Sequence, residues 1–115
     1  MNGKELLTDA EIKRMTADLP EWKKNGGELT RTVEFPQYLV AIDFVHLVAE
    51  IAEQMNHHPD IEISHVRVTL HCTTHSAKGI TSRDVELAHK VEEVFRERLS
   101  PDDDLREEME EEGGL

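Results

Sequence analysis

The chain has 115 residues, a third of them charged, with a net charge of −12 and a single cysteine. That length supports one domain with its own core and no second one. An acidic chain without a basic cluster argues against direct nucleic-acid binding, where phosphate neutralisation is the main term. No run approaches the eighteen or so apolar residues of a membrane span. The N-terminus MNGKELLTDAEIKR has no apolar signal core, and Cys72 alone cannot form an internal disulfide, so a reducing cytoplasmic setting is expected.

Thr8 and Glu11 have capping-box spacing, and Leu7 with Ile12 fits the hydrophobic staple across it. Ile12, Met15 and Leu19 give the stripe of the helix that follows, which Pro20 is expected to end. Trp22 then falls on an extended piece, and Asn25-Gly26-Gly27 supplies a turn that tolerates positive φ. Over residues 29–35, Leu29, Arg31 and Val33 alternate with Thr30, Thr32 and Glu34, which reads as the second strand of a β-hairpin.

Pro36 suits the first turn of the next helix. Residues 37–55 carry two apolar stripes, Tyr38, Ile42, Val45, Ala49 and Ala52 on one side and Val40, Phe44, Leu47 and Ile51 on the other. Between them runs a narrow polar stripe, Asp43, His46, Glu50 and Glu53. A helix apolar on nearly all sides is buried on more than one. In so small a domain the second burial is expected from another subunit. Pro59 pushes His58 out of the α region, so the helix is expected to end near Asn56-His57-His58.

Ile61 and Ile63 then alternate with Asp60, Glu62 and Ser64. After a break near His65, Val66, Val68, Leu70 and Cys72 face one way while Arg67, Thr69, His71 and Thr73 face the other. Lys78-Gly79 reads as a turn. Thr81 to Asp84 opens a last helix with the stripe Val85, Ala88, Val91, Phe95 and Leu99. Residues 101–115 carry eight acids and one arginine, and are expected to be a frayed or disordered tail outside a domain spanning 1–100. The order α-ββ-α-ββ-α predicts a single α+β domain, a four-stranded antiparallel sheet with three helices on one face.

Five of the seven histidines and the cysteine fall between residues 53 and 84. Imidazoles titrate near neutral pH and are natural proton carriers. His57, His58 and His75 lie where the chain changes direction, which is where sites are usually built. Each also has a plainer reading. His57 could simply favour the negative end of the helix dipole, with Glu53 four residues back as an ordinary helix pair. That same dipole and carboxylate would equally suit a general acid. His75 at a strand end could be a surface histidine, Asp84 three residues after Thr81 is spaced as a helix cap, and Cys72 alternates with the apolar face. A metal site is poorly supported. There is no HExxH motif, and His71 and His75 would need a helix to converge.

Glu53-x-x-x-His57-His58-Pro59, Thr73-Thr74-His75, Gly79-Ile80-Thr81 and Asp84 together resemble the pterin-4a-carbinolamine dehydratase family. The likeness runs from the first helix through Trp22 to about Leu99. It implies dehydration of a 4a-hydroxytetrahydropterin to the quinonoid dihydropterin, in recycling of a tetrahydrobiopterin-type cofactor. Pterin is then the substrate, and no cofactor or metal is implied. The resemblance implies His57, His58, His75 and Asp84 as catalytic residues, with His57 and His75 moving protons. For substrate binding it implies Glu53, His58, Pro59, Thr74 and Trp22, the last as a pocket wall or a core anchor. A homodimer or homotetramer built through sheet edges and the central helix is also implied, as is a pterin-dependent hydroxylase in the same pathway. His65 and Lys78 depart from the family pattern and bear on the pocket's shape. The alternative function is a non-catalytic dimerisation module of the coactivator kind, a role that some animal members have.

Overall fold

The computed structural model describes residues 5–99. Its elements are α1 (Asp9–Met15), β1 (Lys23–Asn25), β2 (Glu28–Glu34), α2 (Tyr38–Met55), β3 (Asp60–Ser64), β4 (Arg67–Cys72) and α3 (Ser82–Val94), the last running into a wider π-type turn, Phe95–Leu99. The four strands form one antiparallel sheet in the order β1-β2-β4-β3. This is the expected α+β fold of three helices and a four-stranded sheet. The acidic tail lies outside the described residues.

The sheet is built from two short hairpins. Gly26 at φ +63° closes β1 onto β2, and His65 at φ +55° closes β3 onto β4. The two hairpins join through β2 and β4, with Leu29 opposite Cys72 and Glu34 opposite Arg67. Alternation places Leu29, Val33, Val68, Leu70 and Cys72 on the buried face. On the other face cross-strand polar pairs form: Arg67 on Glu34 at 2.7 Å, Thr32 with Thr69 at 3.0 Å, and His71 Nδ1 with Glu28 at 3.0 Å.

The buried face meets α2 and α3. Phe44 from α2 packs on Phe35 and Phe95, with ring centroids 5.2 and 5.6 Å away. Arg31 shares the apolar side of β2, and its charge is met there. Its Nε donates to Glu92 at 2.7 Å, and its guanidinium lies 5.5 Å above the Phe95 ring. A buried ion needs such a partner.

Two boundaries and one buried stripe differ from expectation. α1 ends at Met15, well before Pro20, because Thr16 returns its hydroxyl to the Ile12 carbonyl at 2.7 Å and turns the chain. Leu19 then reaches the core from a turn. Pro36 precedes α2 rather than sitting inside its first turn, with Gln37 as the N-cap. The buried stripe of α2 is Val40, Ala41, Phe44, Val48, Ile51 and Ala52, which draws Ala52 away from the outer set. Tyr38, Ile42, Val45 and Ala49 remain wholly or half exposed.

Candidate active site

α2 ends where Asn56 adopts a left-handed backbone, φ 52° and ψ 44°, and the His57 amide donates back to the Ala52 carbonyl at 3.0 Å. Asparagine tolerates that conformation better than most residues, and the back-bond is the usual helix-closing motif. The turn carries His57 out of the helical register. Its Nε2 lies 2.7 Å from Oδ1 of Asp84 on α3.

Asp84 is fully buried and is the hub of the region. Thr81 caps α3, and its backbone amide donates to Asp84 Oδ2 at 2.9 Å. Thr74, just after β4, donates its hydroxyl to the same oxygen at 2.7 Å. Its own oxygen lies 2.8 Å from the Thr81 hydroxyl. An ionised carboxylate offers only acceptors, so with Asp84 charged it is His57 Nε2 that donates to Oδ1 and carries the ring proton. Nδ1 is then the ring atom available for exchange. One carboxylate thus ties together the end of α2, the end of β4 and the start of α3.

His75 sits on the next turn, which is closed on itself. The Thr74 amide donates to the Gly79 carbonyl at 2.8 Å, and the Lys78 amide donates to the Thr74 carbonyl at 2.8 Å. Lys78 takes φ +64° to complete it. The turn is anchored to the β1–β2 hairpin by Thr73, whose hydroxyl donates to the Gly27 carbonyl at 2.7 Å. His58 is half exposed, with Nε2 2.6 Å from Glu53.

These residues surround a cavity of about 320 Å³, lined by Asn56, His57, His58, Thr73, Thr74, His75, Ser76 and Arg83. That is the lower end of the range for small-molecule sites. The lining holds three imidazoles and a guanidinium but no carboxylate, in a chain of net charge −12. The carboxylates stand behind the imidazoles, Asp84 behind His57 and Glu53 behind His58. Among the described residues no group of three or more His, Cys, Asp or Glu side chains is arranged to hold a metal ion.

Of the residues singled out in the sequence, His57, His58, Thr74 and His75 line the cavity, Asp84 and Glu53 back it, and Pro59 follows His58 directly. One placement corrects the reading, and for Trp22 the core-anchor alternative is the one observed. Glu53 pairs with His58 and not with His57, because the Asn56 turn breaks the i,i+4 register. Trp22 is buried in the core, where its Nε1 donates to Glu92 at 2.8 Å, and it is not part of the cavity lining. Arg83, Asn56 and Ser76 were not anticipated. Asparagine directly before His-His-Pro was a usable signal for the left-handed turn, whereas Arg83 had none.

The model of the pterin 4 alpha carbinolamine dehydratase family matches residues 5–94. The chain belongs to that family. A Nocardia farcinica protein bearing the name of a pterin-4-alpha-carbinolamine dehydratase is 46% identical over 92 residues, spanning 80% of this chain and 97% of that protein. A relative of the same name from Thermomicrobium roseum is 47% identical over 88 residues, spanning 76% of this chain and 95% of its own length. Among solved structures, a Brucella melitensis protein described as a transcriptional coactivator/pterin dehydratase superposes with a TM-score of 0.72 at 30% identity, covering 76% of this chain and 96% of that one. As a member of that family the chain is an enzyme, a lyase.

Proposed function

We propose that the cavity binds a 4a-hydroxytetrahydropterin and dehydrates it to the quinonoid dihydropterin, with His57 and His75 as the proton carriers and His58 chiefly holding the substrate. In that reaction the C4a–O bond breaks and the hydroxyl leaves as water with a proton from an acid. The N5 electron pair forms the N5–C4a double bond, and the N5 proton passes to a base. No electrons are exchanged, so the step as written needs no redox partner.

The observation that carries this reading is the buried Asp84 carboxylate bonded to His57 Nε2. A carboxylate behind an imidazole fixes its tautomer and balances the imidazolium while the other nitrogen holds a proton. Here that leaves Nδ1 to exchange with substrate. His75, on a separate element at the same cavity, supplies a second carrier, so one imidazole can give a proton while the other takes one. A pterin-dependent hydroxylase would be the source of the carbinolamine. We extend the proposal to a cytoplasmic homodimer or homotetramer, supported by the outer apolar stripe of α2, where Tyr38 and Ala49 are exposed and Ile42 is partly so. No helix among the described residues is long and apolar enough to cross a membrane.

The coactivator-like alternative needs no proton carriers, and pterin binding separates the two. A stable pterin titrated into wild type, His57→Ala and His58→Ala, followed by fluorescence, should bind wild type and lose at least about tenfold in affinity, about 1.4 kcal/mol, in His58→Ala. Absence of pterin binding by the wild type would contradict the enzyme reading.

A further inference from the structure

The His57–Asp84 bond joins the segment after α2 to the first turn of α3, and a second cross-link lies beside it. Arg83, the neighbour of Asp84, donates through Nη2 to the Met55 carbonyl at 2.6 Å and to the Asn56 carbonyl at 3.3 Å. These are carbonyls at the carboxyl end of α2, where the helix leaves acceptors unpaired and its dipole favours a cation. Asn56 is also the residue whose left-handed backbone turns the chain toward His57.

Two features show that Arg83 is not placed for the benefit of its own helix. It sits in the first turn of α3, the end at which the dipole disfavours a cation. Its Nε is buried with no partner among the described residues, and an unmade buried bond in a folded protein calls for a specific reason. The hydrogen bonds of its side chain among the described residues both go across to the end of α2, immediately before His57, and that side chain shares the cavity wall with the His57 ring.

We propose that Arg83 is a positioning residue for His57. By holding two successive carbonyls it fixes the turn from which His57 projects, which keeps Nε2 on Asp84 and Nδ1 on the cavity. Both bonds leave the one Nη2, held in a planar guanidinium whose rigid geometry a flexible ammonium does not reproduce. This rests on His57 being a proton carrier of the proposed dehydration, and the test therefore has one arm that needs no turnover.

That arm is long-range 1H–15N NMR of the imidazoles in the full-length wild type, Arg83→Met and Arg83→Lys. In the neutral ring of wild-type His57, a protonated Nε2 and an unprotonated Nδ1 are expected. In Arg83→Met the two nitrogen shifts should move toward averaging while those of His46 and His89 stay put, with Arg83→Lys in between. In the dehydration assay kcat should fall about 10- to 100-fold in Arg83→Met with KM little changed. The same substitution in a His57→Ala background should cost nothing further. A folded Arg83→Met with the wild-type His57 spectrum would overturn the proposal. So would a loss seen only in KM, which would make Arg83 a substrate contact, or an equal loss of kcat in both backgrounds. If Arg83→Met does not fold, Arg83→Lys carries the same comparison. A wild type without dehydratase activity would remove the proposed function, and the NMR arm would still decide whether Arg83 sets the His57 tautomer.

Discussion

Replacing Asp84 by asparagine preserves the shape of the side chain and removes its charge and one acceptor. The wild-type carboxylate receives three donors, from His57, Thr74 and Thr81. The asparagine oxygen can keep the two donors that share Oδ2, which leaves the amide NH2 facing His57 Nε2 at the former 2.7 Å. Two donors cannot bond, so the neutral ring must move its proton to Nδ1, and the nitrogen that serves the cavity changes from acceptor to donor. The wrong tautomer costs about 10⁴-fold in the Ser-His-Asp systems, and general acid–base catalysis as a whole contributes about 10²–10⁴-fold. kcat for carbinolamine dehydration should therefore fall between about 10² and 10⁴-fold, or about 2.7–5.4 kcal/mol. Loss of the charge-assisted bond should also lower stability by about 1–3 kcal/mol. Stopped-flow absorbance at a temperature well below the variant's unfolding transition, set by circular dichroism, separates the two effects. A folded Asp84→Asn with kcat within about threefold of wild type would refute the role given to this carboxylate.

Other consequences follow from the core and the surface. Glu92 is buried and accepts from both Trp22 and Arg31, so Glu92→Ala leaves a largely buried guanidinium unpaired and should cost about 3–5 kcal/mol in urea unfolding; a cost under about 1 kcal/mol would contradict the pairing. Burial, and secondarily the charges of Asp84 and Glu28, push the Cys72 thiol well above its usual range. The folded value being raised, its contribution to stability is complete below the unfolded thiol's value of about 8.5 and is lost as pH rises above it. Stability should thus decline on the alkaline side, Cys72→Ala should flatten that decline, and a thiol reagent at pH 8 should label the native protein only at its opening rate. Ala49→Arg on the exposed outer stripe of α2 should shift the mass measured by light scattering to that of a smaller species without unfolding it; an unchanged mass would count against assembly through this face.

Much of the fold was legible because it rests on local patterns. Alternation over residues 29–35 and 67–72 gave the two inner strands, and the Thr8 and Thr81 caps gave two helix starts at the positions observed. The double stripe of α2 was visible, although which residues face inward depended on the packing of Phe44 and Val48 against partners remote in sequence. The site was legible as a set of residues and not as a set of contacts. Spacing of three marked Asp84 as a cap, which it is, but no local rule pairs it with a histidine 27 positions away. Spacing of four suggested Glu53 with His57, and a single left-handed residue redirected that carboxylate to His58. Trp22 shows the same limit, since only the tertiary fold brings it to Glu92, 70 residues on. Arg83 left no trace in periodicity because its partners are backbone carbonyls, which every sequence has.

The most direct test is the rate of 4a-carbinolamine dehydration by wild type, His57→Ala and His75→Ala in one stopped-flow series, with each fold checked by circular dichroism. Acceleration by the wild type over buffer, falling by about 10²–10⁴-fold in each variant, is the expected result. Acceleration that survives in both folded variants would remove the histidines from the chemistry, and no acceleration by the wild type would contradict the dehydration itself.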